Sequence, residues 1–240
     1  MNTTKAEVPQ TAARLGGKAA FAPRLALVVP AKDEAARLPA ALDRIATWCA
    51  KSSFPLELIV VDDGSADGTS TVAEAYHRRL PGLRVLRHAS PRGKGAALRT
   101  GFAAARAPVV AFSDADLSTP IDQLPRLLAA VVEGADVAVG SRRVVGGPKP
   151  EGRGLLRDCA SAVFAGLARW ILPTGIRDTQ CGFKAFRAKA AKAVIRLAEV
   201  DGFAFDAEWL ALARRLKLRI VEVPVVWTHD DRSTVRLARA

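Results

Sequence analysis

Long apolar runs are missing from this chain. No stretch reaches the about 18 uncharged residues of a membrane span, because an Arg or Asp interrupts each one. Cysteine is scarce: Cys49, Cys159 and Cys181 are three in number, far apart and outside any CxxC. A disulfide framework or zinc site is therefore not expected, and a reducing cytosol fits best. No GxGxxG follows the first strand pattern and no GxxxxGK[ST] occurs anywhere, which removes dinucleotide dehydrogenases and P-loop enzymes. The net charge is +12, yet no dense Lys/Arg block, zinc finger or aromatic RNA-binding run accompanies it. Charge spread in this way is not expected to mark a nucleic-acid partner. The opening MNTTKAEVPQTAARLGGKAAFAPR lacks the apolar core of a signal peptide, and residues 1–23 read as a flexible basic tail.

What is present is a chain of 240 residues, 50% of them apolar, enough for one large α/β domain. Strand and helix patterns alternate as a parallel sheet demands. Leu25–Val29 is an apolar run closed by Pro30, and Leu38, Leu42, Ile45 and Trp48 then share a helix face. Leu56–Val61 is the next strand, with a helix through about Leu80, a strand at Leu83–Arg87 and a helix opened by Gly93. Val109–Phe112 is the central strand, backed by a helix bearing Ile121, Leu124, Leu128 and Val131, and Asp136–Val139 follows. The expected fold is a three-layer α/β sandwich with a mostly parallel central sheet. After Ser141 the Gly/Pro-rich, basic stretch Arg142–Gly154 reads as a loop, and Leu155–Leu172 as a helix. A strand at Phe183–Phe186, a helix from Asp206 to Leu216 and a strand at Arg219–Val223 complete the pattern.

Sheets of this kind bind ligands at the carboxyl ends of their strands. That edge is acidic here: Pro30 to Glu34 (PAKDE), Asp62-Asp63-Gly-Ser, and Asp114-Ala-Asp116 inside VVAFSDADLSTP. Two carboxylates so close repel unless a positive charge or water sits between them. A single acidic turn is ordinary capping chemistry, whereas three converging ones imply a cation, and oxygen ligands select Mg²⁺ or Mn²⁺. Gly93-Lys94-Gly95 is either a helix start with a solvated lysine or a contact to a diphosphate. Asp178 either caps a turn or lies near a sugar; Asp206 reads as a helix N-cap, and Glu208 as solvated or paired.

The order PAKDE, VVDDGSADGT, RGKG and SDADLS resembles family 2 glycosyltransferases of the GT-A fold, whose nucleotide-sugar signature flanks one residue with two aspartates. GIRDTQCGFK (175–184), FAFDAE (203–208) and VPVVWT (223–228) look like the dolichyl-phosphate β-glucosyltransferase branch, and the likeness runs from about Leu25 to Val235. It implies one GT-A domain over 24–235, with a nucleotide-sugar half (24–140), an acceptor half (141–235) and a tail at 236–240. It further implies that Pro30, Lys32 and Glu34 line the base and ribose, and that Val61 and Asp63 hold uracil or ribose. Asp114, Ala115 and Asp116 would hold metal and diphosphate, Lys94 would join the donor site, and Arg142 and Arg157 would meet the acceptor phosphate. Ser118 stands where some mannose synthases place a Gln ligand, and Thr234 where a Lys is expected, leaving Arg232 or Arg236 to substitute.

The expected reaction is an inverting, metal-dependent transfer of a hexose, glucose from UDP-glucose, to a polyprenyl or dolichyl phosphate. The setting would be cytoplasmic, peripheral at the inner face of the membrane. Transfer from GDP-mannose, or to a soluble or polysaccharide acceptor, is the alternative. A haloacid-dehalogenase reading of SDADLS fails on placement, because that motif belongs to a first strand and Asp114 follows about three.

Overall fold

The computed structural model describes residues 23–52, 54–142 and 176–227. The expected tail, the 143–154 portion of the basic loop and the helix expected at Leu155–Leu172 lie outside the described residues.

Strands β1 (Leu25–Ala31), β2 (Leu56–Asp62), β3 (Leu83–Arg87), β4 (Val109–Ser113), β5 (Val137–Ser141), β6 (Phe183–Arg187) and β7 (Ile220–Pro224) form one sheet, in the order β3-β2-β1-β4-β6-β5-β7. Only β6 among them runs antiparallel to its neighbours. Between them run α1 (Leu38–Ser52), α2 (Thr69–Glu74), α3 (Lys94–Ala104), α4 (Leu124–Val132), α5 (Ala188–Ile195) and α6 (Phe205–Arg215). The mostly parallel sandwich is thus as expected.

Period-two alternation splits the strands between two cores. Leu25, Leu27, Val29, Leu58 and Val60 pack with Leu38, Leu42 and Ile45 of α1 and Leu124 and Leu127 of α4. Val28, Ile59, Val61, Phe112 and Phe186 pack on the opposite face with α3, α5 and α6. Trp209 centres that second core, edge-on to Phe102 at 4.9 Å, Phe205 at 5.4 Å and Phe186 at 5.8 Å. Such tilted pairs contribute about 0.5–1.5 kcal/mol each beyond the area they bury.

Most boundaries shift by one or two residues, and two of the differences have local reasons. Pro30 does not close β1: it pairs with Val61, and the strand runs on to Ala31. Pairing with β4 stops at Val28, so the missing proline N–H interrupts no ladder on that side. Helix α2 ends at Glu74 rather than near Leu80, because the following bonds tighten to i→i−3 at Tyr76, His77 and Arg79.

Candidate active site

The carboxyl ends of β1, β2 and β4 bring the three acidic turns to one edge of the sheet, and each turn is held differently. After β1, Asp33 adopts a left-handed φ of 53°. Its N–H donates to Ser65 Oγ at 2.8 Å, and its Oδ1 accepts from Ala66 N at 3.0 Å, which laces this turn to the one after β2. Glu34 N donates to Thr69 Oγ1 at 2.9 Å, and its carboxylate is forked by Arg37. Burial pushes the Glu34 carboxyl above its ordinary range; Arg37 opposes the shift and Asp116 adds to it, so Glu34 feels the DAD charge. Lys32 is exposed and pairs with Asp33 at 3.1 Å.

After β2 both aspartates face inward. Asp62 accepts from Ser65 N at 2.9 Å and from the Ser70 hydroxyl. Burial opposes its charge, but these bonds outweigh it and hold the carboxyl below its usual range. Asp63 is buried, and both its oxygens carry bonds: His88 Nδ1 at 2.7 Å and Arg92 N at 2.9 Å on Oδ1, Gly93 N at 2.8 Å on Oδ2. Its visible work is to hold the RGKG turn against the sheet. Val61 lies fully in the core.

The RGKG turn opens α3 without forming a phosphate cradle. Asp201 O already accepts Gly95 N at 2.7 Å and Ala96 N at 3.3 Å, capping that terminus. Gly93 permits the approach: its φ is 108°, and a Cβ there would lie 2.3 Å from Asp201 O. Lys94 is a partly buried, paired lysine rather than a freely solvated one. Its ammonium reaches Asp114 Oδ1 at 2.5 Å, beside the rings of Phe203 and Phe205. Burial works against its charge, but Asp114 and Asp206 outweigh that and raise its pKa.

After β4 the chain turns sharply. Leu117 N donates to Asp114 O at 3.1 Å, and Leu117 sits at a left-handed φ of 49° while fully buried. Core packing of that leucine stabilises a conformation that costs a non-glycine residue about 1–3 kcal/mol, and it leaves Asp114 and Asp116 half-exposed with Ala115 buried between them. Asp116 Oδ1 accepts Ser118 N at 2.8 Å.

On the far side, Arg142 closes a fork on Asp178, with Nε at 2.7 Å from Oδ2 and Nη2 at 2.9 Å from Oδ1; its backbone N adds a bond at 3.0 Å. Asp178 is therefore an anchor for Arg142 rather than a simple turn cap. Burial pushes the Asp178 carboxyl up, but Arg142 outweighs it and holds the group below its usual range. Asp206 is not an N-cap either. Ala204 holds that position, and Asp206 instead receives the buried Lys184 ammonium at 2.5 Å. Burial still pushes the Asp206 carboxyl above its ordinary range, against Lys184 and Lys94. Lys184 also donates to Cys181 O at 2.7 Å, tying down the turn that carries Gly182. Glu208 accepts the backbone N–H groups of Glu199 and Val200. Cys181 is a free, buried thiol, pushed by burial to about 11.

The structure thus brings together Asp114, Asp116, Lys94, Arg142 and Glu34. Arg157, Arg232, Thr234 and Arg236 lie outside the described residues. Sequence reasoning missed the Lys184–Asp206 pair. The one available signal was a lysine between the two phenylalanines of FKAF, which needs an acid wherever it is buried.

A cation at this edge finds a fitting donor set in part. Among the described residues no cluster of three ligating side chains exists, but two half-exposed carboxylates are what a site completed by phosphate oxygens and water presents.

Comparison with known proteins decides the family. The profile described as "Glycosyl transferase family 2" matches residues 26–195. The chain belongs to that family. Among curated relatives, the dolichyl-phosphate β-glucosyltransferase of Drosophila melanogaster is 36% identical over 222 residues, covering 87% of this chain and 68% of that protein. The human protein of the same name is 34% identical, over 88% of this chain and 69% of its own. Among solved structures, glucosyl-3-phosphoglycerate synthase from Mycobacterium tuberculosis, in complex with Mn²⁺, UDP and glucosyl-3-phosphoglycerate, is similar with a TM-score of 0.65. It is 23% identical, over 88% of this chain and 73% of that one, a likeness of fold. This glycosyltransferase therefore has the GT-A architecture that its strand ends suggested.

Proposed function

We propose that the protein transfers glucose from UDP-glucose, with inversion, to a dolichyl or other polyprenyl phosphate at a membrane surface, using Mg²⁺ or Mn²⁺. The observation that carries this reading is the half-exposed Asp114–Asp116 pair, with Lys94 bound to Asp114 and Arg142 near enough to feel its charge, in a chain similar along most of its length to dolichyl-phosphate β-glucosyltransferases.

A phosphomonoester acceptor is largely dianionic at neutral pH, with a second pKa of about 6, so it attacks without a general base. What the protein must supply is orientation and relief of the charge that develops on the departing diphosphate. Asp114 and Asp116 would hold the divalent cation, which supplies Lewis-acid stabilisation of that charge. Asp178 takes the Nε–Nη2 edge of Arg142 and keeps the guanidinium charged and immobile, so a phosphate would meet its Nη1 side. Pro30, Lys32 and Glu34 line the nucleotide end; Asp63 acts through the turn it holds, and Val61, buried, through the strand end it packs. Arg157 is assigned to the acceptor phosphate on the family resemblance. The division of 24–235 into donor and acceptor halves belongs to this same reading.

The test is hexose transfer from UDP-glucose and from GDP-mannose onto a short polyprenyl phosphate, with and without Mn²⁺. Metal-dependent transfer from UDP-glucose is expected. Clearly tighter binding of GDP than UDP moves the protein to mannosyl transfer, and donor turnover without use of the lipid phosphate moves it to a water-soluble acceptor.

A further inference from the structure

We propose that Lys94 is a resident counter-ion that stands in for the divalent cation on Asp114, so that metal and nucleotide bind as a coupled pair. This rests on the reading of Asp114 and Asp116 as the metal's ligands and adds what controls its entry.

The pair is built as a latch. Lys94 Nζ lies 2.5 Å from Asp114 Oδ1, and the two side chains keep 21% and 36% of their surface exposed, so an incoming ligand reaches both. Asp114 has little room to turn away. Gly182 lies so close behind the carboxylate that a Cβ there would sit 2.1 Å from Oδ2. The lysine's base is fixed too, at the first residue of α3 below the Asp201 cap, and the rings of Phe203 and Phe205 flank its ammonium at 5.9 and 5.8 Å. Two other acids pull on it: Asp206, whose Oδ1 already receives Lys184 at 2.5 Å, and Asp116, two residues beyond Asp114.

A divalent cation and an ammonium cannot share one face of one carboxylate oxygen, because like charges at that separation repel. Metal arriving alone must displace Lys94 into water with no new anion to meet it. A diphosphate arriving alone meets two carboxylates with one cation between them. When both arrive, the metal takes Asp114, and the flexible four-carbon stem lets Lys94 move to the phosphate oxygens. Each ligand then raises the affinity of the other by the same factor, as linkage requires.

The experiment measures Mn²⁺ binding to the full chain by titration calorimetry and Mn²⁺ electron paramagnetic resonance, with and without UDP. Wild type is expected to bind Mn²⁺ weakly alone and at least about fivefold more tightly with saturating UDP. Lys94→Met keeps the stem against Phe203 and Phe205; it should bind Mn²⁺ alone at least about fivefold more tightly than wild type and lose most of the gain from UDP. Lys94→Arg keeps the charge and should retain weak binding alone. A thermal melt establishes that each variant folds, and Lys94→Gln replaces the Met variant where that one does not. If Lys94→Met leaves binding of Mn²⁺ alone unchanged while Asp116→Asn weakens it, the latch is overturned and the metal site stands. If Asp116→Asn leaves it unchanged as well, both readings fall.

Discussion

Gly182 and Asp114 are in contact through space that only a hydrogen can fill: a Cβ on Gly182 would lie 2.1 Å from Asp114 Oδ2 and 2.6 Å from Cγ. Residue 182 immediately precedes β6, and Asp114 immediately follows β4, its antiparallel neighbour in the sheet. The strand pairing itself thus sets where this carboxylate points. In Gly182→Ala the carboxylate must shift by roughly 1 Å, and displacements of that size cost about 10²-fold in rate when they misplace reacting groups. The expected outcome is a soluble, folded protein whose donor turnover falls by about that factor, measured as UDP release alongside near-ultraviolet circular dichroism. Undiminished turnover would show that Asp114 does not act from this position.

Asp116 can be altered with little effect on the fold. It is half-exposed, and its bond from Ser118 N survives in Asp116→Asn because the amide oxygen still accepts. What disappears is one unit of negative charge facing the diphosphate site. Transfer should fall by about 10²–10³-fold, the usual loss when one electrostatic contact to a developing charge is removed. The melting temperature should stay within about 2 °C of wild type, a shift corresponding to under 1 kcal/mol in a chain of this size. Near-normal turnover with Mg²⁺ or Mn²⁺ is the result that rejects the metal-ligand assignment.

The Asp178–Arg142 fork carries a stability prediction with a definite pH sign. Asp178 is buried, and removing one partner of a buried ion pair costs about 3–5 kcal/mol, so Asp178→Asn should unfold at markedly lower urea concentration at pH 7. Its folded pKa is lowered, so its contribution is present above the unfolded value of about 3.9 and is lost as pH falls through the folded value. The stability gap between wild type and variant should therefore narrow as pH drops from about 5 towards 3. A gap that widens with acid would mean that another group holds Arg142.

Much of this was legible in the sequence, and the limit has a physical cause. Apolar runs ending in PAKDE, DDGS and SDADLS place three acidic turns at one sheet edge because a parallel sheet aligns all its strand ends. The Asp178–Arg142 and Lys184–Asp206 pairs are different. Their partners lie 36 and 22 residues apart, and no local pattern says which cation meets which acid. Asp206 looked like a cap because Asp is a common capping residue; burial and a lysine from β6 decided otherwise. Asp63 is assigned to uracil or ribose on the family resemblance, and no local pattern told that His88, Arg92 and Gly93 would bond its oxygens.

The proposed lipid-borne acceptor would require the protein to meet a bilayer, and among the described residues no helix is long and apolar enough to cross one. Charge offers a route. The chain carries +12, with basic residues in the stretches Arg142–Arg157 and Arg232–Arg239, and Trp170 suits an interface. Each basic residue near an anionic leaflet contributes about 1 kcal/mol, so four or five acting together give useful, reversible binding. That attraction is screened over about 8 Å at physiological ionic strength and should weaken markedly as salt rises. Co-sedimentation with vesicles containing anionic lipid is expected at low salt and largely lost at high salt. Arg157→Ala should impair use of the acceptor more than binding of UDP. If the protein fails to bind vesicles at low salt and turns over a short, water-soluble acceptor at full rate, membrane recruitment is not part of its function and the acceptor is a soluble one.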